Sequence, residues 1–240
     1  MSNGKIVSYT FNSGKTIQLK SKVKLKKGRE GTKLCLLWNE LWIPVPDKNA
    51  IYVYSLNGKR LRKVLIQEPE VMPYSCVACS NATLAIVGKQ GGLIIDRKQG
   101  KVMDKLDCGG SDVCFHDNRL YFLETNRIVV YDNDGTSWNR YALIDIALPD
   151  KSTIGSLIIS DSYLFIASFT GNCIYKCSHS GRVSRVYKQK ELTLDDSRDY
   201  SEDEKGEISY PVLCGVDNKG TLMFCNNTSS HIQVRMAFWS

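Results

Sequence analysis

The side chains able to do acid–base or metal chemistry in this 240-residue chain are few and scattered. There are three histidines: His116, His179 and His231. They stand at unrelated places relative to the surrounding hydrophobic runs, so no pair is spaced for metal ligation or proton transfer. His179 falls in a Ser-His-Ser-Gly turn, where an exposed ring is expected. His116 closes an apolar run and reads as a satisfied turn histidine. No Gly-x-Ser-x-Gly elbow, phosphate loop or His-Glu-x-x-His stretch occurs. No catalytic residue and no metal site is therefore assigned, and the chain is expected not to be an enzyme.

Cysteine and aspartate were weighed in the same way. Cys76-x-x-Cys79 has the spacing of a zinc or redox motif, but no second pair follows at matching spacing. Within a strand, residues three apart point to opposite faces. Cys35 and Cys114 each precede a leucine (Leu41, Leu120) by six residues, and Cys214 precedes Leu222 by eight. Those positions suit a small packed side chain. Nine cysteines is an odd number, and the N-terminus has no apolar signal core, so free thiols and a cytoplasmic setting are expected. To hold Ca²⁺, Asp96, Asp112, Asp145 and Asp217 would have to converge on one channel. Their spacing gives them no common position, and no cofactor is expected.

The formal net charge is +7, and much of it lies in one basic run. Strand alternation would put Lys20, Lys22, Lys24 and Lys26 on one face. Such a ridge either neutralises phosphates or keeps a sheet edge from pairing with other chains. An acidic stretch, Asp195 to Glu207, reads as a surface insertion. No stretch reaches the roughly 18 apolar residues needed to span a bilayer, so no membrane partner is expected.

The elements that would position these groups recur. A Leu-centred strand after a polar turn appears at Leu41, Leu84, Leu120, Leu164 and Leu222, a period of roughly 40 residues. A second strand follows eight to ten residues later, starting at Ile51, Leu93, Ile128, Ile174 and Ile232. Gly58, Gly100, Gly135 and Gly181 each lie seven residues after the start of their strand, and Val7 to Gly14 repeats the interval. Glycine supplies the positive φ of a tight turn. A further strand follows each glycine. The order strand, turn, strand, loop, strand, glycine turn, strand is that of a β-propeller blade. A sandwich or barrel also has hairpins, but has no reason to repeat one at a fixed interval.

The fold class is thus all-β: a β-propeller of four-stranded antiparallel blades, with residues 1–240 as a single domain. The count is five blades, if the N- and C-terminal strands share one blade, or six repeat units of a longer ring.

The last unit resembles a degraded NHL repeat. It runs Gly215-Val216-Asp217-Asn218-Lys219-Gly220-Thr221-Leu222, then Asn226-Asn227, then His231-Ile232-Gln233-Val234. His231 stands where that pattern prefers Arg, and Phe224-Cys225 replaces its usual Val-Ala-Asp. The resemblance implies the propeller of a tripartite-motif-like protein, a recognition module for RNA or a protein partner. It implies no ubiquitin-ligase activity for this chain. The resulting expectation is a non-catalytic interaction module. Its face would comprise Tyr74, Lys89, Arg127, Phe169, Tyr210 and His231 together with the lysine ridge. The alternative is a metal-dependent, lactonase-like propeller hydrolase.

Overall fold

The computed structural model describes residues 5–12, 16–24, 33–68, 71–148, 153–187, 211–216, 222–227 and 232–237. Side chains are described for 33–68, 71–148, 153–187 and 211–213. Lys26, Tyr210 and His231 lie outside these residues, as do Asp217 and the acidic stretch.

Four sheets have four antiparallel strands each, hydrogen-bonded in chain order. The first contains β3 (Cys35–Leu37), β4 (Glu40–Val45), β5 (Ala50–Ser55) and β6 (Arg60–Leu65). The second contains β7 (Pro73–Ala78), β8 (Thr83–Gly88), β9 (Gly92–Asp96) and β10 (Val102–Leu106). β11 (Asp112–His116), β12 (Arg119–Leu123), β13 (Arg127–Asn133) and β14 (Trp138–Asp145) make the third. The fourth is β15 (Ile154–Ile159), β16 (Leu164–Ser168), β17 (Cys173–Cys177) and β18 (Val183–Tyr187). A three-stranded sheet follows: β19 (Pro211–Val216), β20 (Leu222–Asn227) and β21 (Ile232–Ala237). At the other end β1 (Lys5–Asn12) and β2 (Thr16–Lys24) form a two-stranded sheet. Among the described residues these two terminal sheets are not hydrogen-bonded to each other, so no shared blade forms there.

The repeated glycines explain why the sheets are alike. Gly58, Gly100, Gly135 and Gly181 have φ of 84°, 69°, 94° and 83°. Each joins the third strand of its sheet to the fourth, as the seven-residue interval predicts. A second device is less visible in the sequence. Trp38-Asn39 and Asp117-Asn118 join first and second strands with both residues at positive φ. That is the geometry of a two-residue turn matching the twist of its strands.

The blades pack face to face. Inner residues of the first blade (Leu37, Trp42, Ile51, Val53) share a core with Cys76, Leu84, Ile86 and Leu93 of the second. A corresponding core joins the second and third blades, with Phe122 and Tyr131 edge to face at 5.7 Å. Another joins the third and fourth, where Leu123, Ile128 and Val130 meet Leu157, Ile166 and Tyr175. Burying one such side chain contributes about 1.5–3 kcal/mol. Each blade buries both faces, so none is expected to be stable alone.

The first strand of each blade is innermost: β3 touches β7, β7 touches β11, β11 touches β15 and β15 touches β19. The chain enters each blade at one end of the ring, at the loops joining fourth to first and second to third strands. The tight turns lie at the other end.

Candidate functional site at the axis

The entry ends of the inner strands carry hydroxyl and carboxylate side chains in a fold otherwise lined with apolar ones. Ser75, Asp112 and Ser156 are all buried. They sit near the starts of β7, β11 and β15 because each inner strand begins just after its loop turns in from the rim. Lys33, two residues before β3, forms a parallel bridge with Ser75.

Asp112 is the hub. Its Oδ1 accepts from Ser75 Oγ at 2.7 Å and from the Val113 N–H at 2.8 Å. Its Oδ2 accepts from Lys33 Nζ at 3.0 Å, Ser156 Oγ at 3.2 Å and the Leu157 N–H at 2.8 Å. Ser156 Oγ in turn accepts from the Leu213 N–H at 3.1 Å. One carboxylate thus links the second, third and fourth blades directly and β19 through a serine.

Lys33 reaches past the second blade. Besides Asp112, its ammonium donates to the Leu157 carbonyl at 3.0 Å and lies 3.4 Å from Cys114 Sγ. Burial opposes the charge, but the Asp112 carboxylate and the Cys114 sulfur outweigh it and raise the lysine pKa above its ordinary value. Lys33 stays protonated. Its side chain is 21% exposed against 2% for Asp112, so the cation is what solvent meets. Burial pushes the Cys114 thiol up to about 11, and Cys114 donates to the Leu157 carbonyl at 2.8 Å. That thiol is packed and bonded, not poised as a nucleophile.

Of the sequence-derived face residues, Tyr74, Lys89, Arg127 and Phe169 fall at this same end of the ring, Tyr74 on the inner strand β7 and the others at the second-to-third-strand loops. Tyr74 is half-buried and Lys89 exposed. Arg127 is taken by a local ion pair with Glu124. Phe169 folds inward: its ring occupies the place a side chain on Gly155 would need, 1.8 Å from where a Cβ would sit. Gly155 precedes Ser156 just as Tyr74 precedes Ser75, so Phe169 and Tyr74 adjoin hub serines. Lys20, Lys22 and Lys24 lie on β2, whose pairing with β1 is irregular. Ser8 pairs with Ser21 and Tyr9 with Leu19, so the β1–β2 ladder skips Lys20. A bulge of this kind breaks strict alternation, and Lys20 no longer shares the register of Lys22 and Lys24.

The calcium constellation does not assemble. Asp112 is at the axis, already holding five donors. Asp96 ends β9 and accepts from the Gln99 N–H, and Asp145 ends the outer strand β14. These residues do not fit a metal, and among the described residues no three His, Cys, Asp or Glu come together as a metal site. His116 faces Asp161 of the fourth blade at 3.2 Å, and exposed His179 contacts the Ser160 carbonyl at 3.1 Å, across one blade from its own turn. Cys76 is buried and Cys79 lies just past the end of β7. None of the seven cysteines whose side chains are described forms a disulfide.

No protein-family model matches the chain, and no curated protein matches its sequence. Solved structures do. A protein of unknown function from Bacteroides caccae is 11% identical with a TM-score of 0.62, over 96% of this chain and 85% of that one. A streptogramin B lyase is 15% identical with a TM-score of 0.57, over 98% and 73%. The glutaminyl cyclase of Myxococcus xanthus is 11% identical with a TM-score of 0.56, over 88% and 91%. The fold is a β-propeller. Nothing in these comparisons supports the NHL resemblance. The expectation that the chain is not an enzyme is also corrected: a lyase and a cyclase share this fold, and a lack of familiar motifs cannot set the propeller apart from them. At such identities the likeness conveys the fold and no reaction. No helix is long and apolar enough to cross a membrane among the described residues.

Proposed function

We propose that this propeller is an enzyme acting on a small substrate at the axial end that holds Lys33. The observation that carries this reading is an ammonium paired with a buried carboxylate and open to solvent at one edge. Such a cation stabilises negative charge developing on an oxygen and needs no reorganisation to do so. The reactions that fit are those in which a carbonyl oxygen or a departing carboxylate becomes anionic: opening of an ester or lactone, by hydrolysis or elimination. Lys33 would be the residue touching substrate. Asp112 positions it and, with every lone-pair direction occupied, is not the proton acceptor. A lyase and a cyclase on the same fold support a catalytic reading over the docking of RNA. The metal-dependent form of the hydrolase would need ligands from beyond the described residues. We place the chemistry in the cytoplasm, on the odd cysteine number and the free thiols.

The test is turnover of a panel of small lactones, aryl esters and cyclic depsipeptides by the purified chain. The reading predicts at least one substrate opened above the buffer rate. A chain inert toward the whole panel contradicts it.

A further inference from the structure

The tight-turn end of the ring, opposite the axial site, carries a feature unrelated to it. Trp38 stands in the first turn of the first blade at φ 52° and is 60% exposed. Large aromatic side chains are seldom left in water without a role when neighbours are also apolar and exposed. Leu56, in the second turn of the same blade, is 44% exposed. Asn39, Ser55, Leu56 and Asn57 line a shallow depression between the two turns.

Charge surrounds this spot with one sign. Glu40 holds two arginines: Arg62 bidentately at 2.7 and 3.0 Å, and Arg97 at 3.4 Å. Arg97, from the turn of the second blade, stacks over Trp38 at 5.6 Å. This clamp fixes Trp38 across the seam between blades. Beyond it Lys59, Lys98 and Lys101 are exposed, and among the described residues none has an ion-pair partner. Asp96, at the start of the same turn as Lys98, caps that turn by accepting from the Gln99 N–H.

We propose that this turn face docks an acidic polypeptide segment. One apolar side chain of the partner enters the depression beside Leu56 and Trp38, and its carboxylates meet Lys59, Lys98 and Lys101. An aromatic anchor in a basic surround is a usual hot-spot arrangement. A single-stranded nucleic acid is the poorer fit. It needs successive aromatic platforms, whereas the depression offers an aliphatic floor at Leu56 and one indole already covered by Arg97.

The experiment is fluorescence anisotropy on the full chain with labelled peptides of repeating Glu-Glu-Phe or Lys-Lys-Phe, and with oligouridylate. Trp38→Asn removes the anchor and tolerates the left-handed turn. Lys59→Glu with Lys98→Glu reverses the surround. Arg182→Glu makes the corresponding change in the turn of the fourth blade. The acidic peptide is expected to bind, to weaken about tenfold or more with either of the first two variants, and to be unchanged by the third. The proposal is overturned if the acidic peptide does not bind, if oligouridylate binds in its place through the same residues, or if Arg182→Glu weakens binding as much. Melting curves of the variants separate lost binding from lost fold.

Discussion

The axial hub and the seam clamp are built from the same parts, a carboxylate between cations, and differ in what surrounds them. Asp112 is sealed among four inner strands with five donors. Glu40 sits at the rim with two arginines that solvent also reaches. In a low-dielectric interior an unpaired polar group has no water to turn to, so the hub is all or nothing. The clamp can be dismantled with water taking over. The same chemistry thus holds the ring together at one end and presents a surface at the other.

The comparison breaks first if Asp112 can be removed cheaply. Asp112→Ala leaves Lys33, two serine hydroxyls and two N–H groups without their acceptor. It is expected to cost about 3–5 kcal/mol, read as a lowered urea midpoint at unchanged slope. A loss near that of a surface substitution would show that the hub does not join the blades. Next in size, Gly155→Ala pushes a Cβ into the Phe169 ring beside the hub. Overpacking of this kind costs about 1–3 kcal/mol, and Phe169→Leu in the same chain should restore part of it.

Glu40→Gln at the rim is expected to cost about 1 kcal/mol or less, with the difference shrinking in molar salt. Its signature is pH dependence. The hydrogen bond from Arg62, against a smaller burial effect, lowers the Glu40 pKa. Its contribution is therefore present above the unfolded value of about 4.3 and lost as pH falls through the folded one. Wild type and variant should converge in acid and separate above about pH 5. Lys33 has the opposite sign. Its raised pKa makes its contribution complete below about 10.4 and lost only as pH climbs through the folded value, so the hub should survive alkali that strips ordinary lysines.

Much of the fold is legible in the sequence because it rests on short-range rules. A glycine seven residues into each third strand is a local turn requirement, and the four φ values above zero are its direct consequence. The hub is not legible in that way. Lys33 and Asp112 are 79 residues apart, and Asp112 and Leu157 are 45 apart. Only the packing of successive inner strands around the axis brings them together, and no spacing rule announces it. Asp112 was among the carboxylates singled out, though for calcium rather than for a lysine. Trp38 fills the turn position that Asp117 holds in the third blade, and the residue type there does not recur, so no pattern points to it. The bulge opposite Lys20 is likewise a property of two paired strands, and alternation within one strand gives no sign of it.

The measurement that bears most directly on the axial site compares Lys33→Arg and Lys33→Met on the substrate the wild type opens best. Both proteins are first shown to be folded at the assay temperature. If Lys33 stabilises a developing oxyanion, Lys33→Met lowers kcat about 10²–10³-fold with KM little changed, and Lys33→Arg keeps part of the rate. A kcat unaltered in Lys33→Met would contradict the account.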